Sequence, residues 1–250
     1  MPLKRSAANN KVRLNKAIAD CGLCSRRAAD KLISEGKVKV NGRIVVDFSV
    51  LVDPKSDRLV VAGKKISAVE HQYVILHKPK SIVSTCQDEF RRKNILDLLP
   101  RDLRHLKPAG RLDYDSSGLL LLTNDGALIN KLTHPTHGVE KTYQVTVAGK
   151  LTAQAMDQLK SGIDLKEAKT KSAQVRLIKD DERQSIIEIA IKEGKNRQIR
   201  RMCAQLGLPV VALVRTAVSK LQLGGLAEGK WRHLTKEELI RLQKEIKAGS

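Results

Sequence analysis

A charged loop leads directly into the most apolar segment of this chain. The loop begins at Gly110 and carries Arg111, Asp113 and Asp115, and the residues that follow Gly118 read Leu-Leu-Leu-Leu-Thr. An apolar strand anchors the end of such a loop, so the arrangement projects a carboxylate from a rigid element into a cleft. There it can act as a base or a nucleophile. The ordinary alternative is a solvated surface loop, which is the more common place for an isolated aspartate.

A second segment concentrates positive charge. Residues 193–203 read Glu-Gly-Lys-Asn-Arg-Gln-Ile-Arg-Arg-Met-Cys, so Arg197, Arg200 and Arg201 fall within about one helical turn after Gly194. Arginines at this spacing can face a functional cleft. A basic, solvated helix surface is the alternative.

Strands and helices alternate around these two segments. Helical patterns predict helices over residues 155–160 and 197–206, and Thr235 and Glu238 form a capping box for a C-terminal helix. The interleaved elements, without an internal repeat, predict an α+β fold. Apolar runs and period-two alternation predict strands at residues 73–76, 117–123, 141–147 and 185–191.

The N-terminal part of the chain forms a smaller predicted domain. Apolar residues at helical spacing follow Leu14, Ser25 is suited to cap a second helix, and Asn41-Gly42 suits a two-residue hairpin turn. A further strand pair near residues 59–61 completes the domain. The predicted organisation is a domain of residues 1–66, a linker of residues 67–71 and a larger domain of residues 72–250.

The charge balance predicts a polyanionic partner. Lysine and arginine number 47 against 27 acidic residues, a formal net charge of +20. Residues 1–65 hold 15 basic and six acidic residues, and the difference of +9 is almost half of that surplus. Each phosphate that is neutralised releases counterions, which favours nucleic acid. An acidic membrane surface is the other option, but no basic amphipathic helix with exposed aromatic residues is evident.

The six aromatic residues are too few for a base-stacking sheet, so we expect folded nucleic acid to be recognised by charge and shape. No metal is expected, because Cys21 and Cys24 have zinc-like spacing but no second such pair, and a structural zinc site needs four ligands. There is no apolar run of about 18 residues and no secretory signal, which predicts a cytoplasmic protein.

The motifs resemble those of the bacterial pseudouridine synthases of the RsuA/RluB/RluF type. Residues 110–126 are similar to the catalytic motif of that family, and residues 13–30 resemble the S4 RNA-binding domain that precedes it in this branch. Residues 82–85 and 224–232 are most similar to the RluF-like subgroup. The matches run from about residue 11 to 246, and further collinear segments are residues 78–79, 141–143, 196–202 and 229–235.

The resemblance implies an S4-like domain followed by a catalytic domain with a mixed, largely antiparallel sheet. It assigns catalysis to Asp113 rather than Asp115, and contact with the target base to Tyr143. It also implies that Arg200 pairs with the catalytic carboxylate, where an opposite charge lowers the pKa and keeps the group ionised. Asp113 acts either as a nucleophile on the sugar or base, or as a base at C2′, and the sequence leaves that choice open.

The resemblance also implies where RNA binds. One departure from the family is Ser81, which stands where a glycine is common and puts the conformation of that loop in question. The residues expected to bind RNA are Arg13, Lys16, Ser25, Arg26, Arg27 and Lys31 in the first domain, with Arg111, Arg197 and Arg201 in the second.

The implied function is the isomerisation of one or a few uridines to pseudouridine in structured RNA. Ribosomal RNA of the large subunit (23S) is the favoured substrate, with tRNA as a possible second one. The reaction involves no redox change, so no cofactor is expected, and we expect a monomer that binds neither DNA nor membrane.

Two other functions compete with this one. A non-catalytic S4-type RNA-binding or ribosome-assembly factor would not need Asp113. An unrelated nuclease or methyltransferase would need a metal-binding carboxylate cluster or a glycine-rich cofactor loop, and neither stands out in the sequence.

Overall fold

The computed structural model describes residues 11–248 except residues 68, 87 and 91. It divides the chain into two compact units, one ending at His71 and the other beginning at Gln72. Residues 1–10 of the predicted first domain, residue 68 of the predicted linker and residues 249–250 of the predicted second domain lie outside the described residues.

The first unit packs two helices on short antiparallel strands. Ser25 caps the second helix, because its hydroxyl accepts a hydrogen bond from the main-chain N–H of Ala28 at 3.2 Å. Asn41 and Gly42 both have positive φ, +50° and +86°, as a tight hairpin turn requires. The elements are β1 (Val12–Arg13), α1 (Leu14–Asp20), α2 (Arg26–Ser34), β2 (Val38–Val40), β3 (Arg43–Ile44), β4 (Leu51–Val52), β5 (Leu59–Val61) and β6 (Lys64–Ile66).

The apolar faces of α1 and α2 form the core of the first unit. Leu14, Ile18 and Ile33 are fully buried against Val38 and Val52. The strands follow the order β3-β2-β5-β6, and β1 pairs with β4. Burial of the apolar faces leaves the polar faces of the two helices for solvent or a ligand.

The second unit is built on a nine-stranded sheet. Three short 3₁₀ helices accompany the regular elements, at Ile95–Leu98, Arg101–Leu103 and Pro135–His137. The elements are β7 (Tyr73–Lys78), β8 (Lys107–Pro108), β9 (Ser117–Thr123), α3 (Gly126–Thr133), β10 (Lys141–Ala148), α4 (Ala153–Ser161), β11 (Gln174–Asp180), β12 (Gln184–Ile191), α5 (Gln198–Gln205), β13 (Val210–Val218), β14 (Leu221–Gln222), β15 (Trp231–His233) and α6 (Lys236–Ala248).

The sheet of the second unit is mixed and largely antiparallel, as predicted. Its order is β11-β12-β10-β13-β9-β7-β15, with β14 paired to β13 and β8 to β9. Strands β9 and β13 run parallel, and the other neighbours along this order run antiparallel. The chain is therefore an α+β protein.

Strand β9 is covered on both faces, which explains its unbroken apolar run. Leu119 and Leu121 belong to one core cluster, which includes residues of α3 and α6, whereas Leu120 and Leu122 belong to a second cluster on the opposite face. A strand buried on both faces shows no alternation of apolar and polar residues. Its position in the middle of the sheet gives the preceding loop a rigid attachment.

Several elements were not predicted from the sequence. Strand β11 is largely exposed, so it lacks an apolar face that a pattern could reveal. Strand β13 alternates buried and less buried residues, but the charged Arg215 occupies one of its buried positions. Helix α3 and strand β15 were also not predicted; β15 has only three residues.

Candidate active site

A cleft of about 480 Å³ opens in the second unit where the loop before β9, the strands β10 and β13, and the start of α5 come together. The loop before β9 contributes Arg111 and Asp113, strand β10 contributes Lys141 and Tyr143, and β13 contributes Arg215. Residues 192–199, which lead into α5, form the opposite wall. The two segments singled out by their residue types thus line one cleft.

The lining of the cleft is strongly basic. Asp113 and Glu193 are its two carboxylates. Clustered cations raise the local concentration of an anionic ligand and neutralise phosphates. The six cationic side chains in the lining are Arg111, Lys141, Lys192, Lys195, Arg197 and Arg215.

The backbone of the charged loop is held along its whole length. Each carbonyl oxygen of residues 111–116 accepts a hydrogen bond from a group outside the loop, five of them from side chains. The donors to residues 111, 112 and 114 are Nη1 of Arg215 (3.4 Å), the hydroxyl of Ser84 (2.8 Å) and the main-chain N–H of Ser81 (2.7 Å). A loop fixed in this way holds its side chains close to one geometry.

Lys78 is the central support of this loop. It is fully buried, and its Nζ donates to the carbonyl oxygens of Pro79 (2.8 Å), Asp113 (3.2 Å) and Ser116 (2.9 Å). These three acceptors match the three N–H donors of an ammonium group. Burial lowers the pKa of Lys78 to about 8, although the nearby carboxylates of Asp113 and Asp115 oppose that shift.

Asp113 and Asp115 have different surroundings. Among the described residues, the Asp113 carboxylate makes no ion pair or side-chain hydrogen bond, and it lines the cleft. The Asp115 carboxylate accepts two hydrogen bonds from Arg197, at 2.9 and 2.7 Å. These bonds, aided by the charge of Arg200, hold the pKa of Asp115 below its usual value.

The prediction that Arg200 pairs with the Asp113 carboxylate is wrong, because Arg200 lies against Asp115 instead. Arg200 Nε lies 3.2 Å from Oδ2 of Asp115, but without the alignment of a hydrogen bond. Its Nη2 donates instead to the main-chain oxygen of Asp115 at 2.8 Å, and its Nη1 to that of Val210 at 3.3 Å. Arg200 therefore links the charged loop to β13, and it is not one of the residues that line the cleft.

Tyr143, the residue predicted to contact the target base, lines the cleft. It is half-buried, lines the same cleft as Asp113 and packs against two of the core clusters. Its neighbour across the sheet on β13 is Arg215. The ring is thus fixed by the core on one side and open to the cleft on the other.

The other predicted RNA-binding residues divide into two groups. Arg111 and Arg197 line the cleft, whereas Arg201 lies outside its lining and pairs with Glu167. Arg197 has a positive φ of +47° at the start of α5. The predicted RNA-binding residues of the first unit lie on α1, on α2 and at their N-terminal caps. Lys16 pairs with Asp20, and the Ser25 hydroxyl caps α2. The other four are exposed, and they are Arg13, Arg26, Arg27 and Lys31.

Three basic residues of the site were missed by the sequence analysis. Lys78 and Lys141 were noted only as parts of motifs, and Arg215 was not considered. Arg215 is buried, and its Nε donates to the Leu119 carbonyl oxygen at 2.7 Å. Burial, reinforced by the charge of Arg215, lowers the pKa of Lys141 to about 8. The available signal for Arg215 was a single charged residue within the otherwise uncharged segment of residues 210–218.

No group of three or more histidine, cysteine, aspartate or glutamate residues within residues 11–248, leaving out 68, 87 and 91, is arranged to hold a metal ion. No helix in the described part of the chain is long and apolar enough to span a bilayer.

The similarity to known proteins covers both units. Residues 72–205 match the family model "RNA pseudouridylate synthase", and residues 12–59 match the S4 domain. The chain is 44% identical over 233 residues to the Bacillus subtilis (strain 168) protein "Ribosomal large subunit pseudouridine synthase B", covering 92% of this chain and 95% of that protein.

Two further proteins extend this similarity. The Escherichia coli (strain K12) "Dual-specificity RNA pseudouridine synthase RluF" is 39% identical over 245 residues, covering 97% of this chain and 82% of the relative. A solved structure described as "Crystal structure of pseudouridylate synthase" has a TM-score of 0.67 and 34% identity, covering 92% of this chain and 99% of that one.

Proposed function

This chain belongs to the RNA pseudouridylate synthase family, and we propose that it isomerises specific uridines of large-subunit ribosomal RNA with Asp113 as the essential catalytic residue. The predicted membership of the RsuA/RluB/RluF type is confirmed by the matching family models and by the relatives named above. The chain is an isomerase, and the proposal concerns its substrate and the residues that act on it.

One observation carries the assignment to Asp113. The charged loop holds two aspartates, and the described side chains engage only one of them in ion pairs. Asp115 is bound by Arg197 and supports the loop, whereas Asp113 lies in the cleft on a backbone fixed by Lys78. A reacting carboxylate must be free to approach its substrate, and a fixed backbone supplies the orientation.

The reaction breaks the N1–C1′ bond of uridine, rotates the uracil and forms a C5–C1′ bond; the C5 proton is released and N1 gains a proton, so the composition is unchanged. Asp113 acts as the nucleophile on the sugar or base, or as the base at C2′. The uridine has to leave the RNA stack to reach the cleft, at a cost of a few kcal/mol unless it is already unpaired. We propose that Tyr143, which packs against two core clusters and lines the cleft, holds the extruded uracil.

The remaining charges have distinct tasks. Arg111, Arg197 and Lys141 bring positive charge to the phosphates beside the flipped nucleotide. Arg200 is a positioning residue, because it reaches the reaction only through the backbone and carboxylate of Asp115. The exposed cations of the S4 unit supply affinity and register, and they are Arg13, Arg26, Arg27 and Lys31, with Lys16 beside them.

The substrate is proposed from the relatives. One of them is named for the large ribosomal subunit and another for dual specificity. We therefore propose large-subunit ribosomal RNA as the first substrate. That tRNA is a possible second substrate, and that the protein is a monomer in the cytoplasm, are proposed from the sequence alone. The competing function, a non-catalytic assembly factor, does not account for a carboxylate without an ion pair among the described residues that lines a basic cleft together with Tyr143.

Tritium release tests the substrate. RNA labelled at C5 of uridine would be prepared as large-subunit ribosomal RNA, small-subunit ribosomal RNA, tRNA and partly assembled large-subunit particles, all from cells that lack the enzyme. We expect release from large-subunit RNA or from its particles. Release from tRNA or small-subunit RNA alone would overturn the proposed substrate, and no release from any of them, with RNA binding intact, would favour the assembly factor.

A further inference from the structure

Two aromatic side chains, one in the charged loop and one near it, lie outside the hydrophobic core clusters. In the second unit, Tyr73, Tyr143 and Trp231 pack against core clusters. Phe90 and Tyr114, in contrast, are 77% and 51% exposed. In a protein with six aromatic residues, two exposed rings close to one loop need an explanation, because exposed apolar patches often mark binding sites.

Tyr114 follows Asp113 directly in the chain and shares its rigid support. Its carbonyl oxygen accepts a hydrogen bond from the main-chain N–H of Ser81 at 2.7 Å. Consecutive Cα atoms are about 3.8 Å apart, and the Tyr114 ring lies outside the lining of the cleft. The nucleotides that could meet this ring are therefore those that flank the one held at Asp113. The backbone of Tyr114 is fixed and its ring is exposed, so the ring is available to contact a ligand.

The Phe90 ring is covered on one face by an arginine side chain. The Arg92 guanidinium lies over its ring, with the Arg92 Cζ 5.1 Å from the ring centroid. Asp88 fixes Arg92 by accepting hydrogen bonds from its main-chain N–H (2.9 Å) and its Nη2 (2.6 Å). The segment of Arg92 lies next to the charged loop, because the Lys93 carbonyl oxygen accepts a hydrogen bond from Val83 N (3.1 Å) and the adjacent Ser84 hydroxyl donates to the Leu112 carbonyl oxygen (2.8 Å). Tyr114 also raises the pKa of Arg92, after the larger effect of Asp88.

We propose that Tyr114 and Phe90 form a stacking site for the unpaired bases that flank the target uridine. When a uridine leaves the stack, its neighbours lose a stacking partner. An aromatic ring replaces that partner for any base. The site therefore favours uridines in unpaired loops and explains why these rings stand beside Asp113. It rests on the proposed function, since it needs an RNA substrate in the cleft.

Crosslinking locates the bases that contact the rings, whichever uridine is the target. Tyr114→p-benzoylphenylalanine and Phe90→p-benzoylphenylalanine would be irradiated with large-subunit ribosomal RNA from cells that lack the enzyme. The crosslinked nucleotides and the uridine modified by wild-type protein would then both be mapped by reverse transcription. We expect the crosslinks at nucleotides next to the modified uridine. Crosslinks elsewhere, or none, would overturn the stacking site while leaving the isomerase activity established.

Kinetics measures how much the rings contribute. We expect Tyr114→Ala and Phe90→Ala to raise KM by about tenfold or more, with kcat nearly unchanged, because stacking binds ground state and transition state alike. Tyr114→Phe and Phe90→Tyr keep a ring and should restore the KM. Ile240 on α6 is 64% exposed and outside the cleft lining, so Ile240→Ala is the matched control for losing an exposed apolar side chain.

The outcomes separate the two proposals. An unchanged KM in both alanine variants, or a change no larger than that of Ile240→Ala, would overturn the stacking site although wild-type protein still releases tritium. If the wild-type protein releases no tritium from any RNA, the proposed function fails and the stacking site fails with it.

Discussion

The close approach of β9 and β13 predicts a large effect of Gly118→Ala. Gly118 has a φ of +113°, a conformation that side chains rarely adopt. A Cβ at this position would lie 2.3 Å from the carbonyl oxygen and 2.4 Å from the nitrogen of Arg215. Both atoms belong to the backbone of a neighbouring strand, so no side-chain rotation can relieve the clash. The two strands have to move apart.

The magnitude follows from two separate costs. A strained backbone conformation costs about 1–3 kcal/mol, and overpacking costs about 1–3 kcal/mol. Together they should lower the free energy of unfolding by about 2–6 kcal/mol, out of a typical 5–15 kcal/mol. Catalysis should suffer further, because Arg215 on β13 supports the loop that carries Asp113.

Two glycines away from the cleft provide controls. A Cβ on Gly162 would also clash, at 2.3 Å from the carbonyl oxygen of Thr170, with a φ of +93°. Gly149 has a φ of +88° but open space around the same position. Gly162→Ala should therefore lose as much stability as Gly118→Ala but keep its activity per folded molecule, and Gly149→Ala should show the smaller cost of strain alone.

Urea unfolding and tritium release measure these effects. Trp231 is the single tryptophan and lies in β15 of the second unit, so its fluorescence reports on the unfolding of that unit. We expect Gly118→Ala to lower the urea midpoint and to lower kcat/KM beyond the loss of folded protein. If Gly118→Ala unfolded like Gly149→Ala and kept the wild-type kcat/KM, the close packing of β9 on β13 would not support the site as argued.

Three other results are expected. Burial lowers the pKa of Lys141 to about 8, so its charge is present below that pH and lost above it. Burial also lowers the pKa of Lys78 to about 8, so kcat/KM should fall as the pH rises through 8 in both wild type and Lys141→Arg, but the fall should be smaller in Lys141→Arg, where residue 141 stays charged; equal falls in the two proteins would contradict a role for the Lys141 charge. Ser81 has a φ of +63°, so Ser81→Gly should raise the free energy of unfolding by about 0.5–1 kcal/mol, seen as a higher urea midpoint, and a lower midpoint would contradict this. Replacing the exposed pair Arg26 and Arg27 by alanine should weaken RNA binding and reduce the slope of log K against log salt by about 2, and an unchanged slope would contradict the role of that pair.

Much of the fold was accessible from local patterns. The apolar run before Thr123 predicted the central strand, the cap at Ser25 predicted α2, and the capping box at Thr235 predicted α6, and the structure contains all three. These signals are local because capping and burial on both faces leave their trace in neighbouring residues. The family resemblance added the mixed, largely antiparallel sheet, which the structure confirms.

The site was harder to predict than the fold. The helical spacing of α5 brings Arg200 to the charged loop, but which of two aspartates it meets depends on where β9 and α5 pack, and that partner is Asp115. The anchoring role of Lys78 was also hidden, because its two acceptors in the loop lie 35 and 38 residues along the chain. From the sequence alone, a lysine that is buried in a strand cannot be distinguished from an exposed one, because its hydrogen-bond partners come from distant parts of the chain.

The most direct test compares Asp113→Asn with Asp115→Asn in the tritium-release assay. We expect Asp113→Asn to release no tritium while keeping the wild-type urea midpoint and RNA affinity, since its carboxylate makes no ion pair with the described residues. Asp115→Asn should still catalyse, at a lower rate, because it loosens the contacts with Arg197 and Arg200. Tritium release by Asp113→Asn, or its complete loss in Asp115→Asn alone, would contradict the assignment of Asp113 as the catalytic residue.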